Sequence, residues 1–232
     1  MKLIIYSILL FSIISCTPTA DTKQTGWCAQ PLRAQFGDLD EIDVKSDWFK
    51  VYKVGKEVYA ITEPYNYQEV ISYLILGKEK ALLFDTGMGL SSIKSVVDEL
   101  TDLPVSVINS HTHYDHIGGN HEFDHIVAMN TPFTKNRAEN GLSHDFVKHE
   151  VTPEALCINK LSNIDTACYR IKPFHVSMYS WRAETAVFLL GERDIKVVKT
   201  PGHTPDAISL LDIENGYLWT GDAFYEAPIW IF

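Results

Sequence analysis

Apolar positions along the chain fall into short alternating or wholly apolar runs broken by Gly-, Asn- and Lys-containing turns, a pattern that predicts strands interleaved with a few helices. Residues 48–62 alternate around Gly55 and predict a hairpin. Residues 72–76 and 81–84 flank Gly77-Lys78-Glu79-Lys80 and predict another, whose second strand is nearly all apolar and therefore central. Residues 93–100 place Ile93, Val96, Val97 and Leu100 on one helical face, with Ser91 or Ser92 available as cap. Residues 105–108 and 125–129 read as short strands, and Thr131-Pro132 as a cap followed by proline at the first helical position. Residues 194–199 form a further strand. Residues 207–213 and 217–220 around Glu214-Asn215-Gly216 give the clearest hairpin signal in the chain.

The N-terminus has a different pattern. One Lys precedes an apolar run over residues 3–14, too short for a bilayer, which takes about 20 residues, so residues 1–15 read as a signal peptide. The run ends Ile13-Ile14-Ser15-Cys16, which resembles the lipobox of bacterial lipoproteins, in which the Cys is acylated and becomes the first residue. That resemblance implies an acylated Cys16 and tether over 16–46, and a domain over 47–232. It also implies a lipid anchor in a membrane of the bacterial cell envelope, on its periplasmic or surface face. An ordinary cleaved signal peptide is the alternative. Residues 17–34 are polar and mixed, as in a tether. With Cys16 acylated, Cys28, Cys157 and Cys168 remain, and their odd number leaves at least one thiol free; Cys157 and Cys168 are one candidate pair.

The chain beyond the leader suffices for one α/β domain with its own core and is short for two. The formal net charge is −10, with 30 acidic against 20 basic residues. There is no basic run and no aromatic–basic interleaving, which argues against nucleic acid and leaves a small molecule as the substrate. Oligomeric state is not legible.

The chemistry concentrates in residues 109–120, N-S-H-T-H-Y-D-H-I-G-G-N. The stretch follows a strand, and α/β proteins place sites in loops at strand C-termini. In an extended loop start, residues i and i+2 point the same way, so His111 and His113 can reach one ion together. Asp115 and His116 come from the following turn and can face a second position beside it. Imidazole and carboxylate at this density suit zinc or iron, not calcium or magnesium.

This H-x-H-x-D-H run resembles the metallo-β-lactamase superfamily. Further landmarks come in the family's order: Phe84-Asp85-Thr86-Gly87, then Pro201-Gly202-His203-Thr204-Pro205, then Thr220-Gly221-Asp222. The resemblance implies an αββα sandwich (α/β) and a metal-dependent zinc hydrolase using metal-bound hydroxide against a lactone, ester, thioester or β-lactam. It makes His203 the third ligand of a first metal with His111 and His113. Asp115, His116 and the bridging Asp222 would hold a second. It gives Asp85 a bracing role behind the loop, Asp115 a share in proton transfer, and Tyr225 a place near the substrate carbonyl, as in the lactonase-like branch. True β-lactamases of the family depart from this pattern, which sits closer to the glyoxalase II-like and lactonase-like branches. The segment over residues 156–181 is expected to lie over the site, offering His175, Tyr179 and Trp181 as pocket residues; His144 and His149 read as solvated surface.

One family landmark is missing: no His follows His203, so the second site lacks its usual His. The run Ala227-Pro228-Ile229-Trp230-Ile231-Phe232 is apolar, and C-terminal elements of the sandwich are expected to be absent; another ligand in place of the His is the alternative. Two alternatives stay open. His111, His203 and Asp222 could supply the facial triad of a mononuclear non-haem iron dioxygenase acting on a persulfide-like sulfur substrate. A truncated, lipid-anchored protein without catalysis is the other.

Overall fold

The computed structural model describes Cys28 and residues 33–157, 164–180 and 185–225. Residues 1–15, expected to form a signal peptide, Cys16, Trp181 and the run 227–232 lie outside the described residues. The large sheet runs in chain order: β1 (Asp40–Ile42), β2 (Lys50–Gly55), β3 (Val58–Thr62), β4 (Ile71–Leu76), β5 (Ala81–Phe84), β6 (Val105–Ile108), β7 (Ile126–Met129) and β8 (Met178–Ser180). Pairing is antiparallel up to β5 and parallel from β5 to β8. A second, antiparallel sheet has the order β12–β11–β10–β9, with β9 (Thr185–Leu189), β10 (Asp194–Lys199), β11 (Ile208–Asp212) and β12 (Tyr217–Trp219).

Strand β5 explains the layering. Ala81 and Leu83 join a core with Ile93, Val96 and Val97 of α1 (Ile93–Leu100), whereas Leu82 and Phe84 face the second sheet and pack with Ile195, Val197, Ile208 and Leu210. A strand covered on both faces must be apolar at every position, as Ala-Leu-Leu-Phe is. Ser92 caps α1 by accepting from the Ser95 N–H, and Thr131 caps α3 (Pro132–Asn140) by accepting from the Thr134 N–H. These helices, with α2 (Tyr114–Ile117) and α4 (His144–Val147), contribute their buried apolar residues to the core on the far side of the large sheet. The described residues thus build α, β and β layers, and Val187, Leu189 and Leu218 of the second sheet are exposed. No helix among the described residues is long and apolar enough to cross a membrane.

Three expectations change. Residues 34–38 form a 3-10 turn and β1 pairs with β2, so ordered structure begins ahead of the boundary at residue 47. Cys157 pairs with Cys28, 129 residues away, and Cys168 is an exposed free thiol. Proximity in the fold decides the partner: the Cα atoms of Cys28 and Cys157 lie 5.5 Å apart, within disulfide range. The described part of 164–180 does not cover the site. It supplies β8 at the edge of the large sheet, where the Lys135 ammonium sits over the Tyr179 ring and His175 is exposed.

Candidate metal centre

Because β5 and β6 are parallel, their C-terminal ends share one edge of the sheet, and Asp85 and Ser110-His111 leave from it together. The second sheet brings its own turns to the same edge: Ile208 N–H donates to the Ser110 carbonyl at 2.8 Å. Two close approaches require glycine. A Cβ on Gly118 would sit 2.2 Å from the Met88 carbonyl, and one on Gly221 would sit 2.4 Å from Ser110 Cβ. Gly221 also has φ +50, which L side chains rarely adopt. Without these glycines neither the His loop nor Asp222 could close on the site.

Three ring nitrogens converge on one point. His113 Nδ1 lies 3.0 Å from His111 Nε2 and 3.0 Å from His203 Nε2. Nitrogens bound tetrahedrally to zinc at about 2.0–2.1 Å are separated by roughly 3.3 Å, so the triad is near that size. A hydrogen on one of these nitrogens would be shared by the two other lone pairs, whereas a cation can take all three lone pairs at once. Burial and the neighbouring imidazoles His116, His113 and His203 hold His111 well below its ordinary value, which keeps it in the neutral form that binds metal.

A second compact group consists of His111, His116 and Asp222, one donor atom from each lying within 4.8 Å of the others. His111 therefore belongs to both groups. Asp222 places one oxygen 3.4 Å from His116 Nε2 and the other 3.6 Å from His203 Nε2, so it spans them. Asp115 stands outside both compact groups, with its Oδ2 3.4 Å from His116 Nε2. The six residues expected from the sequence thus lie in one region, with Asp115 beside His116 and His111 close to both groups. Burial opposes a charge on His116, yet Asp115, Asp85 and Asp222 outweigh it and raise the imidazole well above its ordinary value.

Asp85 sets the orientation of that ring. Its Oδ2 lies 2.9 Å from His116 Nδ1 and its Oδ1 accepts the Ser110 N–H at 2.6 Å. A proton on Nδ1 leaves Nε2 facing the site. Asp85 has φ +68, a left-handed conformation that Asp tolerates better than most residues and that the two bonds offset. Asn109 and Asn120 lock the loop from behind, through Asn109 Nδ2 to the His116 carbonyl at 2.8 Å and Asn120 Nδ2 to Asn109 Oδ1 at 2.9 Å. His149 is exposed, as expected, and its Nε2 lies 2.9 Å from the buried Glu150 carboxylate; His144 is half-buried against the Tyr169 carbonyl.

Glu63 was not legible as part of this region. It lies buried beneath the loop and accepts from Trp48 Nε1 at 2.6 Å and the Met88 N–H at 2.8 Å. Burial pushes its carboxyl up from 4.5 to about 8, against the pull of those two donors. The folded protein therefore keeps a proton that the unfolded chain releases. This contribution to stability is full below the unfolded value and is lost as pH rises to about 8. Unfolding free energies of the wild type from urea titration should fall between pH 5 and 8, by roughly 3–4 kcal/mol if the whole shift is expressed. Glu63→Gln should flatten that slope at the cost of a constant penalty from the amide facing Trp48. Parallel slopes in the two proteins would exclude Glu63 as the source.

Beside Asp115, His116 and Asp222 opens a cleft of about 710 Å³, lined further by Gln68, Tyr73, Trp219, Phe224 and Tyr225. Tyr225 thus stands in the same cleft as the second group.

Residues 69–232 match the sequence profile of the Metallo-beta-lactamase superfamily. Acyl-coenzyme A thioesterase MBLAC2 of Bos taurus is 23% identical over 200 residues, covering 79% of this chain and 69% of its own length. Among solved structures, an archaeal metallo-beta-lactamase superfamily protein, ST1585 from Sulfolobus tokodaii, is similar with a TM-score of 0.50 at 18% identity, covering 75% of this chain and 68% of that one. MIM-2 metallo-beta-lactamase is similar at 20% identity with a TM-score of 0.48; the match covers 69% of this chain and 55% of the length of MIM-2. On the match over residues 69–232 and the fold it specifies, the chain belongs to the metallo-beta-lactamase superfamily.

Proposed function

We propose that this superfamily hydrolase is zinc-dependent and cleaves an activated carbonyl substrate, a thioester in the first instance. The observation that carries the zinc reading is the convergence of three ring nitrogens at 3.0 Å. The name of the MBLAC2 relatives, acyl-coenzyme A thioesterase, supports the thioester. Bound zinc would supply Lewis acidity and a coordinated water with its pKa lowered to about 7.

The chain supplies the rest. His111, His113 and His203 would hold one ion, and His111, His116 and Asp222 are the donors nearest a second. Asp115, 3.4 Å from His116, is placed to orient a nucleophile and accept its proton. The Tyr225 hydroxyl can donate to oxygen charge developing in the cleft it lines. Apolar surface from Tyr73, Trp219 and Phe224 would pack against an acyl group. Placement in the glyoxalase II-like or lactonase-like branch, a lipid anchor at Cys16 and a cell-envelope location belong to the same reading.

Elemental analysis paired with assays on a short acyl thioester, an oxygen ester and a lactone tests it. We expect about two zinc per chain, thioester hydrolysis lost on chelation, and recovery with added zinc. One iron per chain with oxygen consumption on a persulfide substrate would move the assignment to a dioxygenase. A folded protein that binds no metal would end it.

A further inference from the structure

The residue after Pro201-Gly202-His203-Thr204-Pro205, Asp206, carries the side chain that ties the first histidine group together. Asp206 is buried, at 2% exposure, and its carboxylate accepts three threonine hydroxyls. They are Thr112 Oγ1 at 2.6 Å, Thr204 Oγ1 at 2.7 Å and Thr134 Oγ1 at 2.9 Å. Thr112 lies between His111 and His113, and Thr204 follows His203. Thr134 sits in the first turn of α3, where its N–H is held by the Thr131 cap at 3.0 Å. One carboxylate therefore joins both segments that carry the triad and fixes them to a helix. The backbone bond from Ile208 to Ser110 holds main chain only; the hydroxyl bonds hold the residues adjacent to the ligands.

The use of a carboxylate here needs a reason. Its direct partners are hydroxyls, and the Arg137 guanidinium acts on it at longer range. Burying a carboxylate is costly, and a neutral side chain could bridge hydroxyls at lower cost. A cation held by three neutral imidazoles close by would add to what Arg137 offsets.

Resting on the metal reading above, we propose that Asp206 is a positioning residue for the first metal. Its carboxylate sets the spacing of His111 and His113 against His203, and its negative charge favours the ion-bound state. It touches neither substrate nor metal.

The test is zinc titration of the metal-free full chain against a chromophoric chelator, with thermal melting of each metal-free protein alongside. His113→Ala identifies which binding step belongs to the first group. Asp206→Asn is expected to weaken that step by about 10- to 100-fold, the usual effect of removing a partner behind a ligand, while the other step, which shares only His111, weakens less. Thr204→Ser, which keeps the hydroxyl, should match the wild type, and Thr204→Val should lie between. Unchanged affinity in Asp206→Asn would overturn the proposal. So would equal weakening of both steps with a lowered melting temperature, which marks a general structural role. If Asp206→Asn fails to fold, equal affinity in Thr204→Ser and Thr204→Val would overturn it instead. A wild type that binds no zinc would sink the metal reading and this one together, whereas a normal wild type with a silent Asp206 sinks this one alone.

Discussion

Replacing His111 by alanine is expected to remove both metals at once and to lower hydrolysis by roughly 10³-fold or more. His111 is the one residue common to the two donor groups, and it is buried at 2% exposure. Its neighbours make the loss general. His113 Nδ1 would keep only His203 Nε2 at 3.0 Å, and two imidazoles hold zinc far less tightly than three. His116 and Asp222 would form a pair rather than a triad. His116→Ala should behave differently: it disturbs the second group only and should leave about one zinc per chain. Zinc content and thioester turnover measured on both variants separate these outcomes. A His111→Ala protein that retains two zinc would show that the two-group description is wrong.

Arg193→Ala is expected to lower the unfolding free energy by about 3–5 kcal/mol, the range for breaking a buried ion pair by removing one partner. Arg193 is 6% exposed and sits between the ends of β9 and β10. Its Nε donates to Asp212 Oδ2 at 2.8 Å. Its Nη1 donates to the carbonyls of Lys56 and Glu57 at 3.2 Å and of Leu76 at 3.0 Å. Those carbonyls belong to the large sheet and Asp212 to the second, so one guanidinium pins the sheets together. Its removal leaves a buried carboxylate and the Lys56 and Leu76 carbonyls short of a donor, although Asn215 still reaches Asp212 and the Leu76 N–H still reaches the Glu57 carbonyl. Burial would raise the Asp212 carboxyl, but Asn215 and Arg193 outweigh it and hold the group below its ordinary value. Its stabilisation is therefore present above the unfolded value and lost as pH falls through the lower folded one. Urea unfolding at pH 7 reads the effect directly. A loss under about 1 kcal/mol would mean that water or relaxation replaces the guanidinium.

Strands such as Ala81–Phe84 and the hairpin around Asn215-Gly216 were legible because apolar runs and turn residues act within a few positions. The caps at Ser92 and Thr131 were legible for the same reason. So was the density of donors from His111 to His116, since residues that close in sequence are close in any fold. Strand β8 and the Cys28–Cys157 bond were not, because each depends on segments distant in the chain meeting in space. Nor does spacing show that His111 serves two groups, that Glu63 lies beneath the loop, or that three threonines converge on Asp206.

The sequence by itself determined the elements and the kind of chemistry, through periodicity, turn residues and a local cluster of donors. Only the tertiary structure decided which donors stand close enough to share an ion and what holds them, because those distances depend on the two sheets meeting at one edge and on burial that excludes water.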